Sequence, residues 1–96
     1  MIDPERARKK VERRLEKVID PHTGISVMRM QLITGVDLRK DGKGYAVRVL
    51  FRPDLPECPY LDEMKAEIVK QIGRIRWVTS AEVDVLPGME KGSHHI

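Results

Sequence analysis

A chain of 96 residues has room for one domain and one core, burying somewhat over ~60% of the surface its unfolded state exposes. Its 41% hydrophobic and 34% charged residues exclude the sparse-apolar balance of a disordered chain. No apolar run approaches the ~18 to 20 residues needed to cross a bilayer, and the opening MIDPERARKK lacks the apolar stretch of a secretory signal, so a cytoplasmic protein is expected.

The first predicted element is a helix over residues 4–18. Ala7, Val11, Leu15 and Val18 recur at helical spacing, Asp3 suits the N-cap and Pro4 the first helical position. Asp20-Pro21 is expected to stop it, because the residue before a proline is pushed out of the helical region. The helix carries much of the chain's net +3 charge in Arg6, Arg8, Lys9, Lys10, Arg13, Arg14 and Lys17. Asp3, Glu5, Glu12 and Glu16 are interleaved among them, which reads as a solvated helix face rather than a nucleic-acid surface.

After the turn His22-Thr23-Gly24, the run from Ile25 to Leu38 predicts a strand, broken or bulged at Gly35. Asp41-Gly42-Lys43-Gly44 predicts a turn. Tyr45, Val47, Val49 and Phe51 then alternate with Ala46, Arg48, Leu50 and Arg52, the period of a strand with one buried face. The two runs should form an antiparallel hairpin. Pro53, Pro56 and Pro59 make the next segment a loop. Leu61, Met64, Ile68 and Ile72 mark a second helix from Pro59 to Ile72, with Gly73 at its C-terminus. A last strand, with Ala81, Val83 and Val85 alternating with Glu82 and Asp84, runs from about Trp77 to Leu86. The expected architecture is a small α+β domain over residues 4–87, its two helices packed on one side of a mixed sheet, followed by a mobile tail over 88–96. A right-handed crossover should link the second and third strands, whose pairing the sequence does not fix. His94 and His95 read as part of a solvated tail rather than as metal ligands.

Chemistry centres on Cys58, the one cysteine, which excludes an intramolecular disulfide and a four-cysteine zinc site within the chain. Cys58 is placed at the N-cap of the second helix, where the helix dipole and free N–H groups favour a thiolate. Glu57, Asp62 and Glu63 oppose that effect. Asp20 and His22 are the candidate neighbours, with Asp20 suited to anchoring the turn that Pro21 begins. No catalytic set is expected, since nothing in the sequence brings Asp20 or His22 to the thiol. Gly42-Lys43-Gly44 matches no phosphate-binding loop. Four aromatic residues, Tyr45, Phe51, Tyr60 and Trp77, are too few and too inward-facing for a base-stacking platform. The absence of Asn and the abundance of Lys, Arg and Glu lean towards a thermophilic source.

Asp20-Pro21 after the first helix and Cys58-Pro59 before the second form a spaced pair. Together with Val11-x-x-x-Leu15-x-x-Val18-Ile19 and Gly24-Ile25-Ser26-Val27, they resemble the PaaD-like, MIP-eighteen-like metal-sulfur cluster biosynthesis domain over residues 8–86. The resemblance implies a role in maturing iron-sulfur proteins, with Cys58 as the functional thiol and Asp20 near the same site. His22 stands where the family usually has Glu, Gln31-Leu32-Ile33 where it has Gly-Leu-Val, and residues 52–56 where it has Thr-Ser. One thiolate cannot enclose a cluster usually held by four. Iron or a transient iron-sulfur cluster would therefore be shared between Cys58 and a second copy of the chain, a scaffold or apo-target protein, or a small thiol. The expected function is an adaptor or transient carrier. A basic nucleic-acid-binding module and an accessory assembly subunit of an oxygenase or hydroxylase are the alternatives.

Overall fold

The computed structural model describes residues 2–53 and 59–86. Asp3 caps the first helix as its sequence predicts, its Oδ1 accepting the Arg6 N–H at 2.9 Å, with Pro4 opening the helix. This helix, α1 (Pro4–Leu15), buries Ala7, Val11 and Leu15 completely. It ends before the predicted Val18. The Val18 N–H donates to Leu15 O in a tightened turn, and the chain then leaves the helix to pair Val18–Asp20 with residues 25–27. Val18 stays fully buried, so the apolar spacing persists where the helix does not.

The predicted strand from Ile25 to Leu38 is corrected in the same region. Residues 27–31 form consecutive turns, with Met30 N–H donating to Ser26 O, Gln31 N–H to Met28 O, and Gln31 in the left-handed region at φ 60°. The strand β1 begins only at Ile33 and runs to Asp41. Ser26 Oγ, which accepts the Met28 N–H at 3.2 Å, offers the backbone a local partner that competes with a ladder.

β1 pairs antiparallel with β2 (Gly44–Phe51), Val36 opposite Val49 and Lys40 opposite Tyr45. Ile33 and Gly35 face the consecutive residues Phe51 and Leu50, so Thr34 is the extra residue of a bulge beside the glycine that predicted one. The second helix, α2 (Leu61–Gly73), returns the chain to β3 (Val78–Val85), which lies parallel to β2. The sheet order is β1-β2-β3, a three-stranded mixed sheet completing the predicted α+β fold.

Tyr45, Val47, Val49 and Phe51 are at most 2% exposed and join Ala7, Val11, Leu15, Ile68 and Ile72 in one core. Both helices therefore cover this face. Asp37, Arg39, Ser80 and Glu82 lie exposed on the other, where Arg48 Nε donates to Glu82 Oε2 at 3.1 Å. That hydrogen bond and the Glu82 charge raise the Arg48 pKa above the usual guanidinium value.

The start of α2 corrects a further expectation. Tyr60, not Cys58, occupies the N-cap, with no side-chain hydrogen bond, and the first helical residue is Leu61 rather than Pro59. Asp62 and Glu63 in the first turn complement the exposed N–H groups instead. Cys58 lies outside the described residues, as does the predicted tail over 88–96 with His94 and His95.

Candidate functional site

The Asp-Pro turn is built by its own backbone. Asp20 is 4% exposed and engages at three points. Its N–H donates to Ile25 O at 3.0 Å, its carbonyl accepts the Gly24 N–H at 2.7 Å, and its Oδ1 accepts the His22 N–H at 2.8 Å. The carboxylate thus closes an Asx turn over Pro21. Gly24, at φ 75°, supplies the left-handed residue that brings the chain back towards Ile25. Thr23 Oγ1 accepts the Ile25 N–H at 3.2 Å and donates to Met30 Sδ at 3.2 Å, tying this turn to the turns that follow it.

This turn reaches α2 through a cleft. Lys17, Ile19 and Pro21 line one side, and Glu63, Met64 and Glu67 from the first two turns of α2 line the other, of an open cleft of about 270 Å³. The structure therefore brings the Asp-Pro turn and the helix that follows Cys58-Pro59 to a common opening, although they are some forty residues apart. Lys17 opposes two carboxylates across the cleft. Glu67 is oriented from behind by Gln71, whose Nε2 donates to Glu67 Oε2 at 2.9 Å.

The two predicted neighbours behave differently. Asp20 is buried beneath the turn and His22 is exposed beside it; neither lines the cleft itself. The cleft residues Lys17, Glu63 and Glu67 read in the sequence only as charged helix positions, and Ile19 as a residue before the Asp-Pro stop. The signal that could have found Ile19 is its apolar character directly before the Asp-Pro stop, where Val18 already supplies the buried contact. Ile19 is 48% exposed, and Ile25, across the bridge, is 46% exposed. Among the described residues, no group of three or more His, Cys, Asp or Glu side chains is placed to hold a metal ion. No helix among them is long and apolar enough to cross a membrane.

At about 100° per residue, Arg6, Lys9, Lys10 and Arg13 share one strip of α1 and surround Ile2 in a shallow groove, while Glu5 and Glu12 lie beside that strip and Arg8 and Arg14 outside it.

Several solved structures share the fold. A domain of unknown function, DUF59, from Bacillus anthracis is 23% identical, the match covering 85% of this chain and 76% of that one at a TM-score of 0.73. Rv1466 from Mycobacterium tuberculosis, described as associated with Fe-S complex assembly and repair, is 20% identical, covering 88% and 71% at 0.60. The copper form of the MamM CTD is 17% identical, covering 91% of each chain at 0.52. Identities this low establish a common fold and leave function to the site. No curated protein matches the chain. The family described as iron-sulfur cluster assembly protein matches over residues 8–85, almost the span of the motif resemblance.

Proposed function

Because the chain belongs to the iron-sulfur cluster assembly protein family, we propose that it acts in the cytoplasm as an adaptor or transient carrier, of the PaaD-like branch, that passes iron, sulfide or a cluster to an apo-protein through Cys58. The observation that carries this reading is the cleft shared by Pro21 and the first turns of α2. It brings the Asp-Pro turn against the helix that follows Cys58-Pro59 in the sequence, a meeting that a turn serving only to end α1 gives no reason to expect.

The cargo is a substrate rather than a resident group. A cluster is held by several thiolates, and this chain supplies one. The remaining ligands come from a donor protein, a second copy or a small thiol, and shared ligation of this kind suits transfer, because a bond from one side is easily exchanged. Asp20 acts as a positioning residue. Its carboxylate is committed to the His22 N–H, so it shapes the turn facing α2. His22, exposed beside that turn, is the neighbour able to reach an incoming partner.

Anaerobic reconstitution with ferrous iron and sulfide, in the presence of glutathione, tests the carrier role. Wild type should develop visible charge-transfer absorption that Cys58→Ser lacks, with both proteins equally folded by far-ultraviolet circular dichroism. Identical cluster-free spectra would remove the carrier and leave the adaptor, which predicts co-purification with iron-sulfur scaffold or target proteins that survives Cys58→Ser.

A further inference from the structure

The two edges of the sheet are finished differently. In the β2–β3 ladder the Leu86 N–H donates to Phe51 O at 2.8 Å while Phe51 faces Val85 in register. A residue in a parallel pair bonds to the neighbours flanking its partner. Ser80, Glu82, Asp84 and Leu86 therefore bond inward to β2, and Ala81, Val83 and Val85 turn their N–H and C=O groups outward. Among the described residues nothing pairs with them. From Ala46 opposite Ser80 to Phe51 opposite Val85 the register has no bulge, so this edge is straight and evenly spaced.

The opposite edge is blocked. On β1 the outward groups belong to Val36, Leu38 and Lys40, and the Arg8 guanidinium donates to Val36 O at 2.5 Å. The bulge at Thr34 interrupts the same edge, and bulges and charged side chains are the usual means of protecting one. On β3 the register shift lies at the start, between Val78 and Ser80, so the stretch from Ala81 to Val85 carries no bulge, and its charged side chains, Glu82 and Asp84, are both acidic. Its helix-side residues Val83 and Val85 are only half-buried, whereas their β2 neighbours Val49 and Phe51 are fully buried.

We propose that the outer edge of β3 is a docking site for an extended segment of a partner protein in which apolar residues alternate with Lys or Arg. Added as a fourth strand, such a segment would complete the outward hydrogen bonds and cover Val83 and Val85 with its apolar side chains. Its basic side chains would lie beside Asp84, exposed on the other face, and beside Glu82, which shares its charge with Arg48 there. The same carboxylates disfavour a second copy. Two β3 edges paired about a two-fold axis would set Glu82 and Asp84 against their own counterparts, and like charges across strands repel. The inference rests on the sheet alone and does not depend on the role of Cys58.

Amide hydrogen exchange on the full chain, followed by NMR, is the first test. The amides of Ala81, Val83 and Val85 should exchange at least about tenfold faster than those of Glu82, Asp84 and Leu86. Equal protection would mean that the chain covers its own edge, and the proposal would fall. Synthetic peptides alternating valine with lysine or valine with glutamate are the probes for the second test. The lysine peptide should bind and slow exchange at Val83. Val83→Pro should weaken it about tenfold or more while leaving the fold intact, since proline is tolerated where an edge N–H points outward. Asp84→Lys, which leaves the backbone untouched, should reverse the preference between the peptides. Absence of binding by either peptide, equal binding of both, or sedimentation showing a dimer that Asp84→Lys does not perturb would each overturn the assignment.

Discussion

Asp20 Oδ1 accepts the backbone N–H of His22 at 2.8 Å, and this bond fixes the turn that carries Pro21 to the cleft. A carboxamide keeps the accepting oxygen and a methyl group does not. Asp20→Asn should therefore stay within about 0.5 kcal/mol of wild type, whereas Asp20→Ala should lose about 1–2 kcal/mol, as a lost cap or an orphaned donor does. Urea unfolding of the three proteins measures the difference. In the reconstitution assay Asp20→Asn should load like wild type. Loss of loading by a fully stable Asn variant would show that the negative charge, not the turn, is what the site uses.

Gly44 lies where the hairpin turn passes under β3. Tyr45 N–H donates to Trp77 O at 2.9 Å, and a Cβ on Gly44 would run into that same carbonyl oxygen, with Thr79 Cγ2 close beside it. Neither backbone can give way without breaking the start of the parallel ladder. Gly44→Ala should cost about 1–3 kcal/mol or more, the range of an overpacked core site. Gly42, at φ 62° in the same turn, has nothing within 4 Å of its added Cβ, so Gly42→Ala should cost only the strain of a left-handed alanine, about 1–2 kcal/mol. Thermal melts with a near-ultraviolet signal from Trp77 separate them. Only Gly44→Ala should change that signal in the folded state, because Trp77 packs edge-on to Tyr45 with centroids 5.5 Å apart.

The parts of this fold that sequence reveals are those whose periodicity is set by one interface. β2 alternates because a single face is buried, and α1 shows its stripe because one side meets the core. The stretch from Val18 to Gln31 obeys no period, since its backbone is satisfied by side chains and short-range turns such as Ser26 to Met28 and Asp20 to Gly24. Its β-branched and apolar residues fill the core and the cleft without forming a strand, which is why Ile25–Leu38 read as one. The parallel pairing of β3 has no local signature either. At the site, the Asp-Pro turn was legible and its meeting with α2 was not, because Lys17, Glu63 and Glu67 carry no pattern that distinguishes a cleft wall from a solvated helix face.

Gln71 provides a final, quantitative check on the wall of that cleft. The residue is 8% exposed, and its Nε2 donates to Glu67 while its Oε1 is buried with no partner among the described residues. An unpartnered buried oxygen costs roughly 1–3 kcal/mol, against about 1.5–3 kcal/mol contributed by a hydrogen bond to a charged group when that bond is well shielded. Glu67 is half-buried, so its bond falls at or below the lower end. Gln71→Met, similar in volume and free of polar atoms, should thus leave stability unchanged or raise it by up to about 1 kcal/mol. Glu67→Ala removes the acceptor and strands the amide at both ends, and should destabilise by about 1–3 kcal/mol. Because Glu67 lines the cleft and Gln71 does not, the pair also separates packing from function. Cluster loading that falls in Glu67→Ala but holds in Gln71→Met assigns the carboxylate to the cleft's chemistry, whereas loading that tracks stability in both confines it to structure.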